Sequence, residues 1–256
     1  MNKTKKITCI IQARTNSSRL PCKVILKLSN TPIIVHIIDR IKKSTLIEQI
    51  ILATSVNHND QILLDIANDN QITGFKGSEL DVLDRFYNSA KEYGADPIIR
   101  ITADCPLVDP ILIDRMIEFF EKNNFDYISN TLKPTFPDGL DVEIFSFQTL
   151  ETIMKKSNLK SEREHVTTYL KTHLDEFQTY NFENDKNLSH HRWTIDQKED
   201  LEFMKKIYAL SNSKLILNMQ EILDIISDNP ELMEINHGIG RDEGYRYSLQ
   251  NDEKIK

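Results

Sequence analysis

Acidic residues are missing from the start of this chain. No Asp or Glu precedes Asp39, although Lys3, Lys5, Lys6, Arg14, Arg19, Lys23 and Lys27 all fall in that stretch. The whole 256-residue chain nevertheless carries a net charge of −7. A cationic end on an acidic protein attracts a small polyanion. It does not suit general nucleic-acid binding, which needs a broad positive surface. For Lys3, Lys5 and Lys6 a plain basic tail is the better account of the charge, but not for Arg14, Arg19 and Lys23. Cysteine is also scarce: Cys9, Cys22 and Cys105 make an odd number with no C-x-x-C pair. That excludes a disulfide framework or zinc knuckle and suits a reducing cytosol. Long hydrophobic runs are absent as well. Arg14 interrupts the first apolar stretch after about six residues, too short for a signal peptide or a membrane span. A cytoplasmic protein with no membrane partner is expected.

Composition is otherwise that of an ordinary globular chain, 39% hydrophobic and 28% charged, which rules out intrinsic disorder. There is no internal repeat, low-complexity segment or linker. The expectation is one domain over residues 1–256, with a β-containing insertion around 130–190 and a polar tail over 236–256.

Short β-branched runs alternate with amphipathic ones. Ile7 to Ile11, Gln49 to Thr54, Ile72 to Phe75, Pro97 to Thr102 and Asp126 to Ser129 read as strands. Between them, Ile33, Ile34, Ile37, Ile38 and Ile41 recur at helical spacing after Thr31-Pro32, which reads as an N-cap with proline at the first helical position. Asn59 or Asp60 caps a helix carrying Ile62, Leu63 and Ile66; residues 81–93 and 110–123 form two more, the former closed by Gly94. Such alternation predicts βαβ units, a mainly parallel sheet covered on both faces, and ligands beyond the carboxyl ends of the strands. Later, strands are expected at 140–147, 177–182 and 192–195, and helices at 148–157, 162–173, 197–211 and 218–228.

Three segments carry candidate chemistry. The first is Gln12-Ala-Arg-Thr-Asn-Ser-Ser-Arg-Leu-Pro-Cys-Lys23, directly after the first strand. Its cations can neutralise phosphate oxygens, and its hydroxyls and backbone N–H groups can add hydrogen bonds. It matches neither G-x-x-x-x-G-K-[ST] nor G-x-G-x-x-G, so P-loop and Rossmann readings fail. Taken alone it also fits a solvated turn. The second is Arg100-Ile-Thr-Ala-Asp-Cys-Pro-Leu-Val-Asp109, in which Asp104 sits past a strand end where a carboxylate can ligate a hard cation; Asp109 before Pro110 suits a helix cap better. The third is His190-His-Arg-Trp-Thr-Ile-Asp196, whose last residue either caps a helix or joins Asp104 on one metal. Spacing does not decide between these. His190 and His191 read as a surface pair, Trp193 as core and Cys105 as a packed thiol.

Taken together, the S-S-R-L-P-x-K loop, Thr-Ala-Asp-Cys-Pro-Leu and Arg-Trp-Thr-Ile-Asp-x-x-Glu-Asp-Leu resemble the cytidylyltransferase family. That family includes the CMP-3-deoxy-manno-octulosonate and CMP-acylneuraminate synthetases. The resemblance is nearest to its spore-coat polysaccharide branch, through Gly77-Ser-Glu-Leu-Asp-Val-Leu-Asp-Arg-Phe86, Pro137-Asp-Gly-Leu-Asp-Val-Glu143 and Arg163-Glu-His-Val-Thr167. It spans about residues 7–210.

The resemblance implies a three-layer α/β/α fold of the nucleotide-diphospho-sugar transferase type and a Mg²⁺-dependent transfer of CMP from CTP to a small anionic sugar-like acceptor, with loss of pyrophosphate. Surface polysaccharide or glycan synthesis is the implied setting. Arg14, Lys23, Asp104 and Asp196 would be catalytic, with Asp104 and Asp196 on the metal. Gln12, Ala13, Arg14, Ser17, Ser18, Arg19 and Lys23 would bind nucleotide, together with Gly77, Ser78, Thr102, Ala103 and Asp104. Asp141, Glu143, Arg163, His165 and Arg192 would face the acceptor. A homodimer stays open. Cys22 departs from the glycine common at its position, where a Cβ restricts close approach to phosphate. Three alternatives remain: transfer to a phosphorylated acceptor giving a CDP-linked product, a glycosyltransferase of similar topology, and a non-catalytic nucleotide-binding protein. The glycosyltransferase lacks its usual D-x-D here.

Overall fold

The computed structural model describes residues 6–17, 19–211, 214 and 216–255; Ser18, Lys3 and Lys5 therefore lie outside the described residues. A seven-stranded sheet runs through the molecule in the order β5-β4-β1-β6-β8-β7-β9. Its strands are β1 (Lys6–Gln12), β4 (Gln49–Ser55), β5 (Thr73–Gly77), β6 (Ala95–Thr102), β7 (Tyr127–Ser129), β8 (Glu143–Phe145) and β9 (Thr179–Asn181). The four strands from β5 to β6 are parallel. Only β8 runs against its neighbours, antiparallel to both β6 and β7. The sheet is mainly parallel, as expected.

Side chains alternate across a strand, and here the central strands feed two cores. Cys9 and Ile11, Ile50 and Leu52, Ile99 and Ile101 enter one. The intervening Ile10, Ile51 and Ile98 enter the other. The first core is covered by α1 (Ile33–Ile41), α2 (Gln61–Asp69), α4 (Pro110–Lys122), α8 (Lys198–Leu210) and α9 (Met219–Asp228). The second is covered by α3 (Val82–Tyr93), α5 (Phe147–Lys156) and α7 (Thr168–Thr172). Helices on both faces of the sheet make the three layers.

Several ends fall where their chemistry places them. Asp109 accepts from Ile111 N and Leu112 N and caps α4, with Pro110 at its first position. Asp81 caps α3, and Gly94 closes it at φ 71°. Other ends differ from expectation. Thr31–Pro32 forms the short strand β3, paired with β2 (Lys27–Leu28), and α1 begins after it without a side-chain cap. Asp60 precedes α2 but does not cap it, because its carboxylate is turned to Thr15 and Ser55. The expected helix over 162–173 is broken into α6 (Lys160–Glu164) and α7 by Val166, which has φ 23°. Residues 192–195 join no strand; they lie extended against the 138–140 turn, with a single bridge between Asp138 and Arg192.

That last contact needs a glycine. Gly139 has φ +106°, and a Cβ on it would stand 2.6 Å from Trp193 C and 2.7 Å from Thr194 N. Its bare backbone lets Trp193 N donate to Asp138 O at 2.6 Å. After α9 the chain turns back over the sheet rim, and α10 (Glu243–Gln250) lies against residues 161–171 and the loop after β1. No helix among the described residues is long and apolar enough to cross a membrane.

Candidate active site

The carboxyl ends of β1 and β6 open into a cleft of about 800 Å³. The loop after β1 forms one wall. Asp60 is 1% exposed; its Oδ1 accepts from Thr15 N at 2.7 Å and Thr15 Oγ1 at 2.6 Å, and its Oδ2 from Ser55 Oγ at 2.5 Å. Burial would raise the pKa of Asp60, but the Ser55 and Thr15 hydrogen bonds outweigh it and bring it below the usual carboxylate range. The loop is thereby pinned to β4. Thr15 O in turn accepts from Cys22 N at 3.0 Å. Cys22 sits at φ 58° and ψ 21°, the left-handed region. Glycine takes this conformation without strain; here Cys22 holds it, and its thiol stands exposed.

Across the cleft, Ile195 N donates to Asp104 O at 2.8 Å and Thr194 Oγ1 to the same oxygen at 3.3 Å. Segments far apart in the chain are stitched together there, and Asp104 and Asp196 come to one place. Lys23 lies between them. Its ammonium donates to Asp104 Oδ2 at 2.9 Å, Asp196 Oδ1 at 2.6 Å and Ile195 O at 3.0 Å. Arg19 Nη2 reaches the same Asp196 oxygen at 2.9 Å. Burial opposes the charge on Lys23, but the two carboxylates prevail and raise its pKa. Burial likewise opposes ionisation of Asp104, yet Lys23 and the Thr102 hydroxyl (2.6 Å from Oδ1) hold it down at about 2. The neighbouring Cys105 thiol is pushed well up, by burial first and then by Asp104, and is a packed thiol.

Asp196 is not a helix cap. That work falls to Asp200, whose Oδ2 accepts from Asp196 N and Gln197 N, each at 2.9 Å. Asp200 is fully buried and also receives Arg192 through Nε at 2.8 Å and Nη2 at 2.9 Å. Arg192 Nη1 donates to Asp138 Oδ2 at 3.0 Å. Arg192 therefore borders the cleft with its guanidinium held by Asp200 and Asp138.

Of the residues singled out in the sequence, Gln12, Ala13, Arg14, Ser17, Arg19 and Lys23 line the cleft, as do Thr102, Ala103, Asp104 and Asp196. Asp141, Glu143, His165 and Arg192 line it from the other side. Gly77, Ser78 and Arg163 do not. Gly77 packs on Arg85, and Ser78 O accepts from Arg85 Nη1 at 2.7 Å. Arg163 pairs with Asp81 through Nε at 2.9 Å, tying α6 to the start of α3. His191 is buried and His190 exposed, and neither borders the cleft.

Glu143 is sunk beneath the cleft floor. It pairs with Arg100, receives Tyr127 Oη at 2.5 Å and Thr167 Oγ1 at 2.8 Å, and has Lys171 Nζ at 3.1 Å. Burial would raise its pKa; Lys171 and Arg100 hold it far below the usual range instead. Asp138 goes the other way, up to about 7, through burial and the nearby Asp141, which Arg241 and Arg192 offset only in part. Asp141, raised by burial, meets Arg241 Nη2 at 2.5 Å. His165 is pushed down to about 4 by burial, with Nε2 2.9 Å from Ser248 Oγ.

The sequence reading missed Asp60, Arg100, Lys171, Arg241, Tyr245 and Ser248. Arg100 opens a motif that had been noticed. Lys171, Tyr245 and Ser248 stand in segments without one, and only the fold brings them to the cleft; Asp60 and Arg241 are not in its lining but hold Thr15 and Asp141.

A family model described as cytidylyltransferase matches residues 8–225. The spore coat polysaccharide biosynthesis protein SpsF of Bacillus subtilis is 31% identical over 88% of this chain and 95% of its own. A solved cytidylyltransferase structure from Leptospira borgpetersenii superposes with a TM-score of 0.88 at 31% identity, covering 93% of this chain and 100% of that one. The structure of a CMP:2-keto-3-deoxy-manno-octonic acid synthetase complexed with CTP shares the fold, with a TM-score of 0.62 at 16% identity over 80% of this chain and 98% of that one. The sheet and its flanking helices are those of the nucleotide-diphospho-sugar transferase type.

Proposed function

The chain belongs to the cytidylyltransferase family, and on that premise we propose that this nucleotidyltransferase moves CMP from CTP to a sugar acid of the octulosonate or nonulosonate kind, for surface polysaccharide or glycan synthesis. One observation carries the reading: the Lys23 ammonium from the loop after β1 meets both Asp104 and Asp196 within 2.9 Å at the mouth of the cleft. A triphosphate-sized cationic loop and two carboxylates share one centre.

In this reading Arg14, Arg19 and Lys23 hold the phosphates, helped by the Ser17 and Ser18 hydroxyls. Gln12, Ala13, Thr102 and Ala103 line the nucleotide half of the cleft, while Gly77 and Ser78 support it from behind. The acceptor oxygen forms a bond to the α-phosphorus, the bond to the β-phosphate breaks, pyrophosphate leaves and the hydroxyl proton passes to solvent. The loop cations stabilise charge on the phosphoryl oxygens as it builds. Asp141 and His165 border the acceptor. Glu143 and Arg192 act through others, holding Lys171 and Asp200 in place, and Arg163 fixes the helix that bears His165.

Asp104 and Asp196 would hold Mg²⁺. Their oxygens already surround one cationic point, and such oxygen donors suit a hard divalent ion. Among the described residues no group of three or more metal-ligating side chains exists, so phosphate and water would complete the shell. When bound, the ion neutralises developing phosphoryl charge.

The test is pyrophosphate release by the purified protein with CTP, Mg²⁺ and a panel of sugar acids and sugar phosphates, run beside the other nucleoside triphosphates. Turnover with CTP and a sugar acid is expected. Binding of CTP without turnover across the panel would remove the catalytic reading.

A further inference from the structure

The last part of the chain lies beyond the residues matched by the family model, yet it crosses the mouth of the cleft. It is fastened at both ends. On one side Arg192 Nη1 donates to Gly240 O at 3.2 Å, and Gln197 Nε2 to Glu243 Oε2 at 3.0 Å. On the other, Asp252 Oδ2 accepts from Ser161 Oγ at 2.5 Å, and Lys160 N donates to Glu253 O at 2.8 Å. Between these anchors α10 touches both halves of the cleft. Gly244 lies against the Arg19 guanidinium, where a Cβ would stand 2.7 Å from Nη1. Ser248 bonds His165, and the Tyr245 ring meets the His165 ring edge-on at 5.3 Å. Arg241 pairs with Asp141.

Under Tyr245 lies a charged cluster, with the Asp141 and Asp242 carboxylates at its border. Glu143 is one carboxylate against two cations, Arg100 and Lys171. Arg100 is further engaged by Gln12 Oε1 at 2.9 Å. Lys171 is the more open of the two, with a side chain 27% exposed to the cleft and its ammonium 6.0 Å from the centre of the Tyr245 ring. An ammonium has three donors, and Glu143 takes one. The remaining donors of Lys171 face the pocket that α10 walls.

We propose that the C-terminal strap is the acceptor-reading element of this chain: Tyr245 is its specificity-determining residue, forming the wall against which the acceptor lies, and Lys171 takes the acceptor's anionic group. This rests on the cytidylyl-transfer reading above and adds a segment and two residues to it. The ring supplies a flat apolar face for a sugar body, the ammonium a point charge for its carboxylate.

The experiment uses the full chain with Tyr245→Ala, Tyr245→Phe and Lys171→Met, melting temperature serving as a check on folding. The acceptor is whichever of 3-deoxy-manno-octulosonate, N-acetylneuraminate and glucose 1-phosphate the wild-type chain turns over. Tyr245→Ala is expected to raise the acceptor KM about tenfold, and Lys171→Met about thirtyfold, with the KM for CTP within about twofold. Tyr245→Phe should restore nearly all of the affinity, because the ring face forms the wall. An acceptor KM that does not move in Tyr245→Ala, or one that rises in step with the KM for CTP, would overturn the proposal. Turnover of the phosphate alone removes the sugar-acid reading and leaves the strap to be judged by the same variants. No turnover of any of the three overturns both.

Discussion

Lys23 and Asp196 stand 2.6 Å apart although they are separated by most of the chain. Asp104, at 2.9 Å, completes the group. The three residues tie the loop after β1 to the end of β6 and the start of α8, so the electrostatics of the cleft depend on all three elements at once.

Replacing either Asp104 or Asp196 by alanine should lower turnover by about 10²- to 10³-fold, the usual scale for removing a group that organises transition-state charge. Circular dichroism should show the fold intact. The metal dependence of turnover decides the roles, and unchanged activity in one variant would take that residue out of the site.

Arg19→Ala should weaken CTP binding by about 1.5–3 kcal/mol, the worth of a charge-assisted hydrogen bond. Arg19 is 39% exposed at its side chain and pairs with the rim of the cleft, so the melting temperature should hardly change. Calorimetric titration with CTP reads the effect; equal affinity in variant and wild type would contradict a phosphate contact.

Cys22→Gly should stabilise the protein by roughly 0.5–1 kcal/mol, since it relieves a left-handed residue but adds freedom to the unfolded chain. Urea denaturation measures the balance. A destabilised variant would mean that the thiol makes a contribution of its own.

Asp200→Ala should cost about 3–5 kcal/mol of stability, because it leaves the Arg192 guanidinium buried without its bidentate partner. CTP affinity should fall as well, since Asp200 also holds the backbone of Asp196. Denaturant melts and nucleotide titrations on the same preparation separate the two effects.

Glu143→Gln gives a pH-dependent loss. The folded protein holds the Glu143 carboxyl below its ordinary 4.5. Its contribution to stability is therefore fully present above that value and drains away as pH falls below it. The variant should be less stable than wild type near neutrality, and the gap should close on acidification. Urea midpoints at several pH values check the sign; a gap that widens on acidification would contradict it.

Much of the sheet was legible because a short β-branched run is a local signal. Ile10 and its neighbours in β1 carry it in their own order, and the cap at Asp109 and the stop at Gly94 need only a few residues. The short or exceptional pieces were not. Arg192 to Ile195 has the residues of a strand but is paired by Gly139 to a turn. Thr31 looks like a cap and is instead half of a two-residue ribbon. In the cleft, the basic loop and the two aspartates were readable from pattern and resemblance. Asp60 was not, because a carboxylate before a helix looks the same whether it caps or reaches back to Thr15. Nor was Lys171 or Tyr245: an isolated lysine and tyrosine carry no spacing, and their meaning depends on α10 folding back.

The long separation between the parts of the cleft also bears on the order in which a growing chain acquires them. The parallel strands from β5 to β6 are complete by Thr102, and can pair while the rest is still being made. Asp196 and the strap arrive near the end. A chain that stops short of Asp196 can thus own the strands of a parallel sheet and a cationic loop without owning the pocket.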